Sequence, residues 1–112
     1  MSSIFDLIIN RKAKAKLFYE DDDVIVIRDH RPQAMVHLLI ICKEPHVNFF
    51  EAPAKTIAMM NKTAKLIAKK LGIGDHFRLI TNNGWCQEVP HFHYHFLSNQ
   101  GSEKLEFTEI GG

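Results

Sequence analysis

The sequence predicts an α+β fold: an antiparallel meander of about five strands, with a short helix at the front and one long helix packed on a face. Three observations carry this expectation. Residues 54–71 place apolar side chains at helical spacing. Short β-branched or alternating segments surround that stretch in the order β-β-β-α-β-β. No Gly-, Ser- or Pro-rich linker interrupts the 112 residues, so a single domain over 1–112 is expected.

In chain order, Ser3 is expected to cap a short helix, because Ile4, Leu7 and Ile8 fall at i, i+3 and i+4. Residues 11–16 are a basic, solvated link. Residues 16–20 read as a strand, Asp21-Asp22-Asp23 as a turn and residues 24–28 as a second strand, which makes a hairpin. Residues 29–33 form a loop held by Pro32. Residues 35–42 are nearly all apolar, as in a central strand covered on both faces. Residues 43–53 connect to the long helix and carry Phe49 and Phe50.

In the helix, Ile57, Met60, Ala64, Ile67 and Leu71 step by three and four along one face. Lys55, Lys62, Lys65, Lys69 and Lys70 fill the solvated side, and Gly72 suits the C-cap. Residues 76–82 are expected as a strand, 83–89 as a loop around Gly84, and 90–97 as the last clear strand. The tail 98–112 is weakly patterned; Leu105 and Phe107 are expected to form an edge or to dock on a partner.

Composition narrows the function classes. With 46% hydrophobic and 24% charged residues, the chain is of the soluble globular type, not a disordered or fibrous one. No run approaches the ~18–20 apolar residues of a membrane span, so no membrane partner is expected. The first ten residues lack a basic start and are broken by Asp6, unlike a secretory signal. Fourteen Lys and Arg against 13 Asp and Glu leave a formal charge of +1, so no nucleic-acid partner is expected. Cys42 and Cys86 make neither a disulfide framework nor a metal knuckle, and the cytoplasm is the expected compartment.

The informative segment is His91-Phe92-His93-Tyr94-His95-Phe96-Leu97. On a strand, alternate side chains point to opposite faces. His91, His93 and His95 then share one face, and Phe92, Tyr94 and Phe96 can bury on the other. Three imidazoles buried without partners would cost several kcal/mol, so their face must line something wet, charged or metallic. Two chemistries suit it. One is a metal held by neutral imidazoles; the other is nucleophilic and acid–base work on phosphorus. No Glu follows within residues 96–100, which weakens a cupin-like metal site.

That segment resembles the His-φ-His-φ-His-φ-φ signature of the histidine triad (HIT) superfamily of nucleotide hydrolases and transferases. Ser3-Ile4-Phe5, Phe18-Tyr19-Glu20-Asp21, Arg28-Asp29-His30-Arg31-Pro32-Gln33-Ala34, His37-Leu38-Leu39-Ile40-Ile41, His46 and Arg78-Leu79-Ile80-Thr81-Asn82-Asn83-Gly84 follow in the family's order. The resemblance covers residues 3–97 and is greatest to the Hint branch, the purine nucleoside phosphoramidases. It implies the HIT fold and a homodimer whose sheets join across the interface.

It also implies a mechanism acting on a purine nucleotide or nucleotide conjugate, with no cofactor and no metal in the reaction. His93 would attack the α-phosphorus and form a covalent nucleotidyl-imidazole, which water opens to release a nucleoside monophosphate. His95 would sit near the leaving group, His91 would orient His93, and His37 would complete the cluster. Asp29 would accept ribose hydroxyls, with His30 beside it, and Asn82 would hold the scissile phosphate. Gln87 and Glu88 fall in the phosphate loop, with Glu88 where the family usually has Ser or Thr. Ile4, Phe5, Ile8, Ile27 and Leu39 would form the base pocket.

Other departures bear on the reading. The zinc-binding Cys-x-x-Cys of many bacterial relatives is here Ser3 and Asp6, so structural zinc of that type is not expected. The loop 83–90 is shorter than in the Hint branch by about two residues. Two alternatives stay open: a dinucleoside polyphosphate hydrolase, and a nucleotide- or metal-binding regulatory module with little turnover.

Overall fold

The computed structural model describes residues 3–112. The elements are α1 (Ile4–Ile9), β1 (Ala15–Glu20), β2 (Val24–Arg28), β3 (Val36–Cys42), α2 (Ala54–Leu71), β4 (Arg78–Ile80), β5 (His93–Ser98) and β6 (Thr108–Ile110). Short 3₁₀ turns lie at Gly84–Cys86 and Ser102–Lys104.

Local chemistry sets the helix ends. Ser3 Oγ accepts the Asp6 N–H while the Asp6 carboxylate accepts the Ser3 N–H, a reciprocal cap that closes α1. Helix α2 stops at Gly72, whose φ of +66° is the left-handed value that glycine adopts at least cost. Met60, Ala64, Ile67 and Leu71 are buried, Ile57 is half-buried, and the five lysines of the opposite side are exposed.

The sheet has six strands, all antiparallel, in the order β4-β5-β3-β2-β1-β6. The expected count was about five; the sixth is β6, which pairs with β1. The meander runs only through β1-β2-β3, because β5 lies against β3 and pushes β4 to the edge. The last clear strand is therefore flanked on both sides, by β4 and β3. Leu105 and Phe107 pack against the core beneath α2 rather than standing free. The strand expected over 76–82 is only Arg78–Ile80, and the one expected over 90–97 starts at His93.

The two faces of the sheet bury different things. Val24 and Val26 of β2, Val36, Leu38, Ile40 and Cys42 of β3, and Phe92, Tyr94 and Phe96 meet α2 in the larger cluster. Ile25 and Ile27 of β2 with Leu39 and Ile41 of β3 turn the other way and meet Phe5 and Ile8 of α1. This period-two division is what makes residues 24–27 of β2 and 38–42 of β3 apolar on both faces. Helix α1 has only six residues, so it covers part of that second face. The rest carries the histidines.

Candidate active site

Cross-strand register assembles the site. Leu39 of β3 stands opposite His95 of β5, and Ile41 opposite His93. His37, on the same face of β3, therefore lies diagonally beside His95, with Nε2 of His37 3.0 Å from Nδ1 of His95. The His93 and His95 rings are 5.1 Å apart between centroids. Phe5 of α1 stands edge-on to His93 at 4.8 Å and walls the site on that side.

Backbone partners fix which nitrogens carry protons. His93 Nδ1 lies 2.6 Å from the carbonyl oxygen of His91, which can only accept, so Nδ1 bears the hydrogen and Nε2 presents a bare lone pair. Burial pulls the His93 pKa down to about 4, against the raising effect of that hydrogen bond. A neutral imidazole with one nitrogen pinned and the other free is what a nucleophile requires. The Thr81 hydroxyl donates to the His93 carbonyl at 2.9 Å and ties the end of β4 to the start of β5.

His37 has the opposite arrangement. The Gln33 N–H donates to its Nδ1 at 3.0 Å, so the ring hydrogen sits on Nε2. That hydrogen faces His95 Nδ1 at 3.0 Å and Asp29 Oδ2 at 3.3 Å. His95 Nδ1 is then an acceptor, and the neutral ring carries its hydrogen on Nε2. Burial lowers the His37 and His95 pKa values, and the Asp29 carboxylate opposes the shift at both. Glu88 also raises His95.

His91 lies on the same side of the sheet, with Phe5 edge-on to its ring as to that of His93, but its side chain is engaged elsewhere. It precedes β5 and is buried under α1, with Nε2 2.5 Å from the Cys42 carbonyl and Nδ1 facing Ser3 Oγ at 3.4 Å and Asp6 Oδ1 at 3.5 Å. The imidazole thus binds α1 to β3, and only the main-chain carbonyl of His91 touches His93.

The remaining candidates fall in several places. Asp29, directly after β2, joins the His37–His95 pair. Phe5, Ile8, Ile27 and Leu39 are buried together, but Ile4 is 48% exposed and outside the cluster. His30 is exposed, and Asn82 is half-buried in the loop after β4. The Gln87 side chain is committed to loop contacts, donating to the Val47 and Val89 carbonyls and accepting from Asn48. It therefore braces the loop rather than facing open space. Glu88 is exposed. Sequence reasoning gave no role to Thr81, Gln33 or the Cys42 carbonyl; two of these three act through the backbone, which residue type does not reveal.

With this geometry established, the comparisons decide the family. The HIT domain model matches residues 10–102. The chain belongs to the HIT family. A HIT family hydrolase from Clostridium thermocellum superposes with a TM-score of 0.80 at 41% identity, covering 87% of this chain and 90% of that one. An adenylylsulfatase of Arabidopsis thaliana is 35% identical over 88% of this chain and 71% of its own length. A 14 kDa zinc-binding protein of Brassica juncea is 36% identical over 88% and 93%. Together they support the Hint-like branch and a hydrolase at the coarse level.

Zinc must be tested on this chain's own donors. Among the described residues, the ligand atoms of Asp29, His37 and His95 all come within 4.8 Å of one another. A metal on His37 Nε2 would require a hydrogen on Nδ1, where the Gln33 N–H already points. The cluster is therefore suited to sharing protons rather than to holding an ion. At the N-terminal helix, Ser3 and Asp6 meet His91 through 3.4–3.5 Å contacts, and the buried His46 Nε2 lies 3.2 Å from a Glu44 oxygen without making a hydrogen bond. A hydrogen-bonded cap stands where many relatives have the cysteine pair.

Proposed function

We propose that this protein is a nucleotidyl hydrolase that acts at the α-phosphate of purine nucleotide conjugates, phosphoramidates foremost, and releases a nucleoside monophosphate. The observation carrying this reading is His93: neutral, pinned at Nδ1 by the His91 carbonyl, and free at Nε2. In the first step Nε2 attacks phosphorus, the bond to the leaving amine breaks, and that amine takes a proton from His95. In the second, water attacks the same phosphorus and gives a proton to the now neutral His95, the P–N bond to His93 breaks, and the imidazole recovers its lone pair.

Asp29, an acceptor-only group, would take hydrogen bonds from the ribose hydroxyls, and Asn82 would hold the phosphate. Phe5, Ile8, Ile27 and Leu39 form the apolar wall against which a base would lie. We place the chain in the cytoplasm as a homodimer. The dimer reading draws support from β4, an edge strand of three residues with Leu79 39% exposed, where a second sheet could continue the ladder.

The test is a rapid-quench reaction with adenosine phosphoramidate, followed by mass spectrometry of the peptide containing His93. A nucleotidyl adduct on that peptide, with one burst of amine per chain, supports the reading; turnover without an adduct rejects it. A parallel panel of guanosine phosphoramidate, adenylyl sulfate, acyl adenylates and diadenosine polyphosphates ranks the leaving groups.

A further inference from the structure

Asp29 is placed for more than a ribose. Its side chain is only 14% exposed. Oδ1 accepts the Arg31 N–H at 2.8 Å, while Oδ2 lies 3.3 Å from His37 Nε2 and 3.9 Å from His95 Nδ1. With both rings neutral, the hydrogen on His37 Nε2 bridges to His95 Nδ1 at 3.0 Å. A second proton arriving at His95 Nδ1 would leave two donors and no acceptor on that line. His37 cannot relieve the conflict by changing tautomer, because the Gln33 N–H occupies its Nδ1. Asp29 Oδ2 lies 3.3 Å from the first nitrogen and 3.9 Å from the second, within ion-pair reach of both.

We infer that Asp29 is a positioning residue for the general acid: its carboxylate faces His37 Nε2 and His95 Nδ1 together, and stabilises the His95 imidazolium as a counter-charge whether or not a ribose is bound. The inference rests on the proposed reading that His93 attacks and His95 protonates the leaving amine. The imidazolium gives its Nε2 hydrogen to the departing nitrogen as the P–N bond breaks, and becomes neutral with its Nδ1–H facing Asp29. The charged or titratable groups around the pair are Asp29 after β2, His93 on β5 and Glu88 in the loop before it; both carboxylates favour the added proton.

The experiment compares wild type with Asp29→Asn on adenosine phosphoramidate and on its 2′,3′-dideoxy counterpart, reading kcat/KM against pH. The alkaline limb should move down by roughly 1–3 pH units in the variant on both substrates, since a carboxylate within 4–6 Å holds an imidazolium by about that much. A loss confined to the substrate with ribose hydroxyls would overturn the inference and leave Asp29 as a ribose acceptor alone. Wild type that fails to form the His93 adduct on either substrate would defeat the parent reading instead. If the variant does not fold, ¹⁵N spectra of the wild-type histidine rings serve. His95 should gain its second proton at Nδ1 while His37 Nδ1 stays bare; a second proton landing on His37 first would overturn the inference.

Discussion

The two faces of the sheet share the same strands and behave as different materials. On the α2 side, β3 and β5 present Val36, Leu38, Ile40, Tyr94 and Phe96, all at most 4% exposed and packed on an 18-residue helix. On the α1 side the same strands present His37, Leu39, Ile41, His93 and His95 to a six-residue helix that cannot cover them all. The first face is held by apolar area and shape. The second adds to its smaller apolar cluster a chain of single hydrogen bonds, each naming one acceptor: the His91 carbonyl for His93, the Cys42 carbonyl for His91, and the His95 nitrogen for His37. Polar groups this buried are affordable only when each has its partner, so the reactive face is the more exactingly specified of the two.

The sharpest way to break the comparison is one substitution on each face. His93→Ala should lower kcat by roughly 10⁴-fold while nucleotide binding, followed by calorimetry, stays near wild type. Retention of more than a tenth of the activity would remove His93 as nucleophile. Phe96→Ala on the opposite face should do the reverse. It removes a fully buried ring stacked on Phe77, so unfolding in urea should show a loss of about 3–5 kcal/mol. Activity per folded molecule should hold; a large fall in kcat at full folding would mean that the faces are not independent.

Acid sharpens the contrast further. The folded-state pKa of His93 is about 4, below the ordinary 6.5, so between those values the unfolded chain binds more protons. The stability from neutral His93 is complete above about pH 6.5 and is lost as pH falls towards 4. Lowered values at His37 and His95 act in the same direction. Urea melts should show about 2 kcal/mol less stability at pH 5 than at pH 8. Equal midpoints would mean that the imidazole is not desolvated.

The smallest effect concerns Glu88, which is exposed yet near enough to raise His95. Glu88→Ser should raise kcat/KM for diadenosine polyphosphates about 5-fold more than for amine phosphoramidates, and the difference should shrink in high salt. Equal changes on both substrates would confine Glu88 to the solvent.

Much of this was legible in the residues. The alternation through Phe92, Tyr94 and Phe96 sends the aromatic rings to the core, and the apolar steps of residues 54–71 place α2 at Ala54–Leu71. Ser3 and Gly72 cap as their side-chain chemistry dictates. Asp29 reads from sequence as a turn residue or a ribose acceptor, and nothing local shows that it faces two imidazoles.

What the sequence by itself determined is therefore periodic and local: helix, strands, caps, and which side chains of β5 share a face. Only the tertiary structure decided that β5 lies beside β3, that β6 closes on β1, and that His91 turns beneath α1 and offers His93 only its carbonyl. The reason is physical. Every residue but proline carries the same backbone donor and acceptor, so the groups that set the tautomers of His37, His91 and His93 have no signature in residue type. They acquire meaning when the register of the sheet brings one carbonyl or one N–H within about 3 Å of a particular ring nitrogen.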